Sequence, residues 1–295
     1  MKLTIFFAIF FFALNSHSDI QVSRNYKGAV DFMQALAAKY PSTTKLMTLG
    51  TSDAGIAIQG LVIGDGPVKN LLVATHHGNE FGSTELAINF AESLAINPIQ
   101  GQTLTIIPVL NIEGYNRRAR NESVNRQSLD LNRDYPSPCG TEGPFFSKST
   151  KALADYIAKN DIVVSSTIHT FSPAVLYPWG ISTNDVETHY TPKFTELGNA
   201  ATFLSRYIVG NSTLLLYPAD GAFEDYAFWK HGIWSMLFEV GGSHNPSLKS
   251  LTAMIESNVP GLRKMYEIAP TTRAESHDFT GRCDAMMKIL DLHSE

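Results

Sequence analysis

Short apolar runs along the chain are separated by longer segments in which apolar residues recur at helical spacing. Apolar, β-branched runs of about four to eight residues are typical of buried strands, and apolar residues at three- and four-residue spacing are typical of amphipathic helices. Residues 214–221 are predicted as a loop or short strand. The pattern predicts helices over 25–40, 80–94, 149–159, 190–207, 225–231 and 248–265, and strands over 45–50, 56–63, 70–75, 104–109, 161–168 and 233–240.

This alternation predicts the α/β fold class. Strands separated by helices favour a single domain with a mixed, mostly parallel twisted sheet covered by helices on both faces. The 295 residues are 44% hydrophobic, which suffices for a large core. No internal repeat or interdomain linker is visible, so we expect one domain over residues 19–268 and a polar tail over residues 269–295.

The first eighteen residues differ from the rest. Lys2 precedes an apolar run from Leu3 to Leu14, and the small residues Ser16 and Ser18 follow. This arrangement predicts a secretory signal peptide over residues 1–18 with cleavage before Asp19, and the run is too short for a membrane span. We therefore expect a secreted or periplasmic protein that is soluble, monomeric and free of the membrane after removal of the signal.

The charge of the chain limits the class of its binding partners, and its cysteine content limits the disulfides it can form. The formal net charge is −5 and no basic stripe is present, so no nucleic-acid partner is expected. Export permits disulfides, and the chain has only Cys139 and Cys283. Either these two cysteines form one disulfide across a long loop or both are unpaired buried thiols, and the sequence leaves both alternatives open.

Ionisable side chains follow three of the predicted strands. His77 and Glu80 follow the strand over 70–75, His169 follows the strand over 161–168, and Glu239 lies at the end of the strand over 233–240. In open α/β sheets the sites form at the carboxyl ends of the strands. Imidazole and carboxylate groups meeting there can bind a zinc ion. A polar, arginine-rich stretch over 116–133 is predicted as a long loop. Because long loops in a compact domain are usually functional, we expect its arginines to have a functional role.

Several motifs in one register resemble the zinc metallocarboxypeptidases, the family of pancreatic carboxypeptidases A and B and their bacterial relatives. The resemblance covers about residues 26–265. The motifs are His77-Gly78-Asn79-Glu80, Asn111-Ile112-Glu113-Gly114-Tyr115, Asp130-Leu131-Asn132-Arg133, Ile168-His169-Thr170-Phe171-Ser172 with Leu176-Tyr177-Pro178-Trp179-Gly180, and Phe238-Glu239-Val240.

The resemblance implies a catalytic zinc site. His77, Glu80 and His169 match the ligands of one Zn²⁺ ion, with His76 as the competitor of His77. Glu239 matches the general base that takes a proton from water and passes it to the leaving amine.

The resemblance also implies a substrate site. Asn132 and Arg133 match the pair that binds the free C-terminal carboxylate, and Tyr217 matches a mobile tyrosine that covers the substrate. An upstream arginine stabilises the oxyanion in this family. Arg117, Arg118, Arg120 and Arg126 all lie in the window for it, and counting from Gly114-Tyr115 favours Arg120.

Substrate preference depends on Glu224, which lies where the family has the residue at the bottom of its specificity pocket. Glu224 either pairs there with a terminal Lys or Arg, or lies with Asp225 at a helix N-terminus, a position that suits carboxylates. Asp220, His231 and His244 are expected mostly as surface residues. Asn79 and Phe171 depart from the pancreatic pattern. Asn79 leaves the clamp for the terminal carboxylate with one cation fewer, and Phe171 removes a hydroxyl from an outer subsite.

The expected function is that of a zinc-dependent exopeptidase acting on peptides with a free C-terminal carboxylate. Basic C-terminal residues are the favoured substrates. An alternative is a carboxypeptidase or amidase acting on peptidoglycan stem peptides near diaminopimelate, which carries both an amine and a carboxylate. A further alternative from another class is a non-catalytic peptide-binding protein on the same fold.

Overall fold

The structure is a computed structural model that describes residues 20–140, 144–181 and 187–283. The predicted signal peptide over residues 1–18 lies outside the described residues, as does the end of the tail from residue 284. Within the described ranges, no helix combines the length and the apolar character needed to cross a membrane.

Most helices begin and end close to the predicted positions. The side chains of Asn25, Ser147 and Ser247 accept hydrogen bonds from backbone N–H groups in the first turns of three of them, which fixes where these helices start. The helices are α1 (Tyr26–Lys39), α2 (Phe81–Ile96), α3 (Ile112–Arg117), α4 (Lys148–Lys159), α5 (Thr191–Ala201), α6 (Ser212–Leu215), α7 (Phe223–His231) and α8 (Leu248–Ile268).

The strands form one large sheet and one separate hairpin. The sheet has eight strands in the order β1-β2-β4-β3-β7-β10-β8-β9, and β5 pairs only with β6. The strands are β1 (Thr44–Thr51), β2 (Ala57–Gly64), β3 (Val68–Ala74), β4 (Gln102–Ile107), β5 (Glu122–Val124), β6 (Gln127–Leu129), β7 (Ile162–His169), β8 (Ala174–Tyr177), β9 (Ile208–Asn211) and β10 (Trp234–Glu239).

The pairing confirms the predicted mixed sheet. The pairs β3–β4, β3–β7, β7–β10 and β8–β9 are parallel, and the pairs β1–β2, β2–β4 and β8–β10 are antiparallel. Every residue of β7 is buried, which requires cover on both faces of the sheet. The helices form two packed groups, one with α2, α5 and α8 and the other with α4 and α7.

Several local predictions were wrong. The helix predicted over 190–207 ends at Ala201, and Arg206 has a left-handed backbone with φ 58° before β9 begins. The strands β8 and β9 were not predicted, because four residues are too few to show a periodicity. The predicted loop over 116–133 contains the β5–β6 hairpin and a short 3₁₀ turn, Leu131–Arg133. The prediction for 214–221 missed α6, which includes Leu214 and Leu215.

The described part of the tail packs against the domain. Arg273 donates hydrogen bonds to the carbonyl oxygens of Ile162 at 2.7 Å and Asn160 at 2.8 Å. Cys139 and Cys283 form a disulfide with their Cα atoms 5.2 Å apart, so the alternative of two unpaired thiols is wrong. The disulfide joins the tail to the loop that follows Arg133.

Candidate active site

The candidate site lies at the carboxyl ends of three adjacent parallel strands, where the sequence placed it. The turn after β3 carries His77 and Glu80, β7 ends at His169, and β10 ends at Glu239. Because β3, β7 and β10 are neighbours in the sheet, their ends meet at one edge. Glu239 lies beside His169 in the register of the β7–β10 pair.

Gly78 fixes the turn that carries His77 and Glu80. The N–H of Gly78 donates to the carbonyl oxygen of Arg120 at 3.0 Å. A Cβ atom on Gly78 would overlap the backbone of Gly114 and Tyr115, so only glycine allows this close approach. The turn is thereby attached to the segment that carries Arg120.

His77, Glu80 and His169 converge as a set of metal donors. The Nδ1 atoms of the two histidines lie 3.2 Å apart. Oε1 of Glu80 lies 2.8 Å from Nδ1 of His77, and Oε2 of Glu80 lies 3.1 Å from Nδ1 of His169. Donors around one tetrahedral zinc ion are separated by about 3.3 Å, since zinc–nitrogen bonds are about 2.05 Å long. The buried donor set therefore fits a zinc ion.

The electrostatics of this cluster keep Glu80 ionised. Burial raises the pKa of Glu80, but the nearby imidazoles of His77 and His169 outweigh burial, and the net pKa is lowered. A carboxylate that stays deprotonated is the form that binds a metal.

His76 lies behind the donor cluster. Its ring stacks on that of His169 with a centroid distance of 5.5 Å, and its Nε2 lies 3.1 Å from the hydroxyl of Tyr135. Burial lowers the pKa of His76 well below its ordinary value, so the ring is neutral. The structure therefore gives His77, not His76, a donor atom in the cluster.

Asp130 connects the donor cluster to Arg120. Oδ1 of Asp130 lies 3.0 Å from Nε2 of His77, and its Oδ2 accepts a hydrogen bond from Nη2 of Arg120 at 2.8 Å. Nη1 of Arg120 lies 3.8 Å from Oε1 of Glu80. Asp130 could be predicted only as part of its motif and not as a partner of His77, because 53 residues separate the two positions.

The four arginines that were candidates for stabilising the oxyanion have different surroundings in the structure. Arg120 is the member that lines the cleft with His77 and Glu80. Arg117 lies 3.7 Å from Glu113, Arg118 donates to the carbonyl oxygen of Arg24, and Arg126 lies at the turn of the β5–β6 hairpin.

Glu239 has a buried carboxyl group with an unused oxygen. None of the described residues forms a hydrogen bond with its Oε2. Burial raises the pKa of Glu239 to about 7, and the opposing interaction with His169 only partly offsets it. A carboxyl group with a pKa near neutrality can both accept and release a proton.

Asn132, Arg133 and Tyr217 also line the cleft. Oδ1 of Asn132 accepts a hydrogen bond from the N–H of Phe223 at 2.9 Å, which attaches the 3₁₀ turn to α7. The guanidinium of Arg133 lies 5.9 Å from the ring centroid of Tyr217. Tyr217 is 48% exposed, so its ring lies at the mouth of the cleft.

Glu224 and Asp225 both lie in the first turn of α7, and both side chains are buried. The carboxylate of Asp225 accepts the N–H of Gly180 at 3.0 Å. Glu224 lines the cleft, and its Oε2 has no hydrogen-bond partner among the described residues. Burial raises the pKa of Glu224, against the opposing effects of His169 and Arg133.

The cleft has a volume of about 180 Å³ and brings all the predicted site residues together. Its lining also includes His244, which was expected at the surface. Nδ1 of His244 lies 3.1 Å from Oγ1 of Thr170, and its ring lies 4.9 Å from that of Phe171. His231 instead contacts the Tyr226 hydroxyl, at 3.3 Å. The residues that line the cleft are His77, Glu80, Arg120, Asn132, Arg133, His169, Thr170, Phe171, Leu176, Gly180, Ser212, Leu216, Tyr217, Ala219, Glu224, Leu237, Glu239 and His244.

The fold and the cleft define the class: an α/β protein with a metal-binding donor set at the carboxyl edge of its sheet. The sequence pattern of the family described as zinc carboxypeptidase matches residues 29–260, and the chain belongs to this family. The family match thus extends from α1 into α8 and includes every predicted site residue.

The chain is also similar to individual relatives in sequence and to solved structures in fold. The chain is 30% identical over 207 residues to carboxypeptidase D of Rattus norvegicus, an alignment that covers 62% of this chain and 15% of that relative. The fold is similar to that of bovine thrombin-activatable fibrinolysis inhibitor in complex with tick carboxypeptidase inhibitor, with a TM-score of 0.74, 17% identity and coverage of 82% and 95% of the two chains. It is also similar to murein-tripeptide amidase of Escherichia coli O157, with a TM-score of 0.56, 15% identity and coverage of 80% and 97%.

Proposed function

We propose that this protein is a zinc-dependent carboxypeptidase that removes the C-terminal residue of peptides and prefers basic terminal residues. One observation carries the proposal: a single cleft is lined by the three metal donors, the buried carboxyl group of Glu239 and the guanidinium of Arg133. A hydrolytic centre next to an anion-binding group suits a peptide bond beside a free carboxylate.

His77, Glu80 and His169 would hold the metal. When bound, zinc supplies a Lewis acid that polarises a carbonyl oxygen and lowers the pKa of water. Asp130 orients the ring of His77 from the side opposite to the donor cluster.

Glu239 and Arg120 carry out the proton transfer and charge stabilisation. Oε2 of Glu239 accepts a proton from the attacking water and then donates it to the leaving amine, because its raised pKa allows both transfers. The guanidinium of Arg120, held by Asp130, stabilises the negative charge that develops on the carbonyl oxygen.

Arg133 and Asn132 confer exopeptidase specificity. A guanidinium binds a carboxylate with two parallel hydrogen bonds, so Arg133 would bind the C-terminal carboxylate of the substrate. Asn132 supports it as a neutral donor, and Tyr217, already beside Arg133, closes over the terminal residue.

Glu224 supports the preference for basic residues. Its unpartnered Oε2 in a buried part of the cleft offers an acceptor to an ammonium or guanidinium group. A terminal Leu or Phe would leave this polar atom unpaired, which costs free energy. Asp225 does not compete for the cation, because both of its oxygens face the N–H of Gly180.

A second candidate function is hydrolysis of peptidoglycan stem peptides near diaminopimelate. The structural similarity to a murein-tripeptide amidase favours it. The side chain of diaminopimelate carries an amine that suits Glu224 and a carboxylate that suits Arg133. A non-catalytic peptide-binding function would require loss of a donor or of the general base, yet all of these residues line the cleft. The predicted signal peptide supports action in the periplasm or the medium.

Purified protein with zinc tests the proposal on two peptides that differ only in a free or an amidated C-terminal Lys. We expect release of Lys from the free acid alone, and a loss of about a hundredfold or more in kcat/KM for Arg133→Ala. Arg263→Ala, at an exposed pair with Glu267, is the control for loss of one arginine. Equal cleavage of the amidated peptide would disprove the exopeptidase assignment. A purified stem peptide cut faster than the free acid would favour the second function.

A further inference from the structure

A second groove, of about 570 Å³, adjoins the candidate active site and shares Arg120 with it. The segment after α3 and the β5–β6 hairpin form its walls. Three arginines line it: Arg117, Arg120 and Arg126. The groove therefore adjoins the cleft at Arg120, whereas Arg133 and Glu224 line the cleft alone.

Arg126 occupies an unusual position at the tip of this hairpin. Val124 pairs with Gln127, so Asn125 and Arg126 form a two-residue turn. Both have positive φ angles, 49° and 69°, which define the turn type that favours Asn followed by Gly. A left-handed backbone is strained for a residue with a side chain. The chain thus has an arginine where glycine would suit the backbone better, which points to a use for the guanidinium.

The exposed charges of the groove are mostly positive. Glu113 lies 3.7 Å from Arg117 and Asp130 lies 2.8 Å from Arg120, so each of these arginines has an acidic neighbour. No described residue forms an ion pair with Arg126. Glu122 also lines the groove, but its side chain is buried and accepts a hydrogen bond from the hydroxyl of Ser147 at 2.6 Å. Among the described residues, the positive charge of Arg126 is therefore not neutralised by an acidic side chain.

The direction of the substrate follows from the proposed function, on which this inference rests. With the C-terminal carboxylate at Arg133 and the scissile carbonyl at Arg120, the residues before the scissile bond leave the cleft past Arg120. We propose that the hairpin groove binds acidic side chains of the substrate on the amino-terminal side of the scissile bond, and that Arg126 determines this preference. The substrates are then peptides with an acidic segment before a basic C-terminal residue.

Two peptides that end in Ala-Lys test the proposal. In one peptide three Glu residues precede Ala-Lys, and in the other three Gln residues precede it. We expect kcat/KM to be about fivefold higher for the Glu peptide at low salt, as for a partly exposed charge pair. The ratio should fall towards one in about 0.5 M salt, since an open groove is screened. Arg126→Gly should lower the ratio in the same way without endangering the hairpin, because glycine fits the turn.

Arg206→Gly is the matched control, since Arg206 also has a positive φ angle and lines neither groove. It should leave the ratio unchanged. Cleavage of both peptides at equal rates, or an unchanged ratio in Arg126→Gly, would overturn the role of the groove and leave the proposed function intact. No release of Lys from either peptide by the zinc-loaded protein would instead count against the proposed function.

Discussion

Oδ1 of Asp130 lies 3.0 Å from Nε2 of His77, on the edge of the imidazole opposite to the Nδ1 atom that faces Glu80. A carboxylate at this position accepts a hydrogen bond from Nε2–H, and the tautomer with its proton on Nε2 has a lone pair on Nδ1 for a metal. Asp130 therefore holds the His77 ring in the direction, and favours the tautomer, that a bound metal requires.

Replacing Asp130 by Asn should lower zinc affinity by about 10- to 100-fold, because the amide keeps the shape but loses the charge that makes His77 a stronger donor. Competition with a chelator at fixed pH measures the change. Asp155→Asn, at an exposed pair with Lys151, is the control for loss of one acid. An unchanged dissociation constant would remove Asp130 from the metal site.

The two neighbouring histidines should differ in their effect on metal content. Purified protein should contain about one equivalent of zinc. His77→Ala should lose this zinc, because only two of the three donors remain. His76→Phe keeps a ring against His169 and should retain the zinc. Elemental analysis measures the zinc content of both variants. Loss of zinc from His76→Phe but not from His77→Ala would show that His76 is the ligand.

Glu239→Gln should retain zinc and thermal stability but lose about a thousandfold in kcat, because an amide cannot transfer the proton. Steady-state kinetics on a peptide ending in Lys, with metal analysis of the same sample, checks this. Turnover near that of the wild type would exclude Glu239 as the general base.

Glu224→Gln should lower the ratio of kcat/KM for terminal Lys against terminal Leu by about tenfold, the effect of one charge-assisted hydrogen bond. Raised salt should change the wild-type ratio little, because the buried carboxyl group is poorly screened. A ratio that does not respond to the substitution would mean that other residues determine the preference.

Glu122 should make stability depend on pH. Burial raises its pKa from 4.5 to about 7 in the folded protein, so the folded state holds a proton that the unfolded state releases. This group stabilises the fold least above pH 7, and stability is lost as pH rises from 4.5 to 7. This rise in the pKa of Glu122 corresponds to roughly 3 kcal/mol of stabilisation that is present below pH 4.5 and lost above pH 7.

Glu122→Gln removes this titration while keeping an acceptor for Ser147. Urea unfolding at pH 5 and pH 8 should show that the variant gains stability relative to the wild type at the higher pH. A difference between the two proteins that is the same at both pH values would contradict the burial effect.

The long elements and the strand ends could be predicted because their signals are local. The apolar run before His169 and the turn after β3 each mark a strand end within a few residues. The parallel order of β3, β7 and β10 then brings distant ligands together without further information.

The partners of the site residues could not be predicted, because folding alone brings them into contact. Asp130 reaches His77 through the 3₁₀ turn, and Arg120 is selected over Arg126 by the backbone contact with Gly78. The short strands β8 and β9 have too few residues for a pattern, and their stability comes from pairing in the sheet.

The disulfide between Cys139 and Cys283 divides the active site topologically. His169, Tyr217, Glu224 and Glu239 belong to a covalently closed ring of chain, whereas His77, Glu80, Arg120 and Arg133 lie on the open segment that precedes it. A single backbone cut anywhere within that ring leaves the molecule in one covalent piece. An enzyme built in this way can be nicked among other proteases and still keep both halves of its site attached.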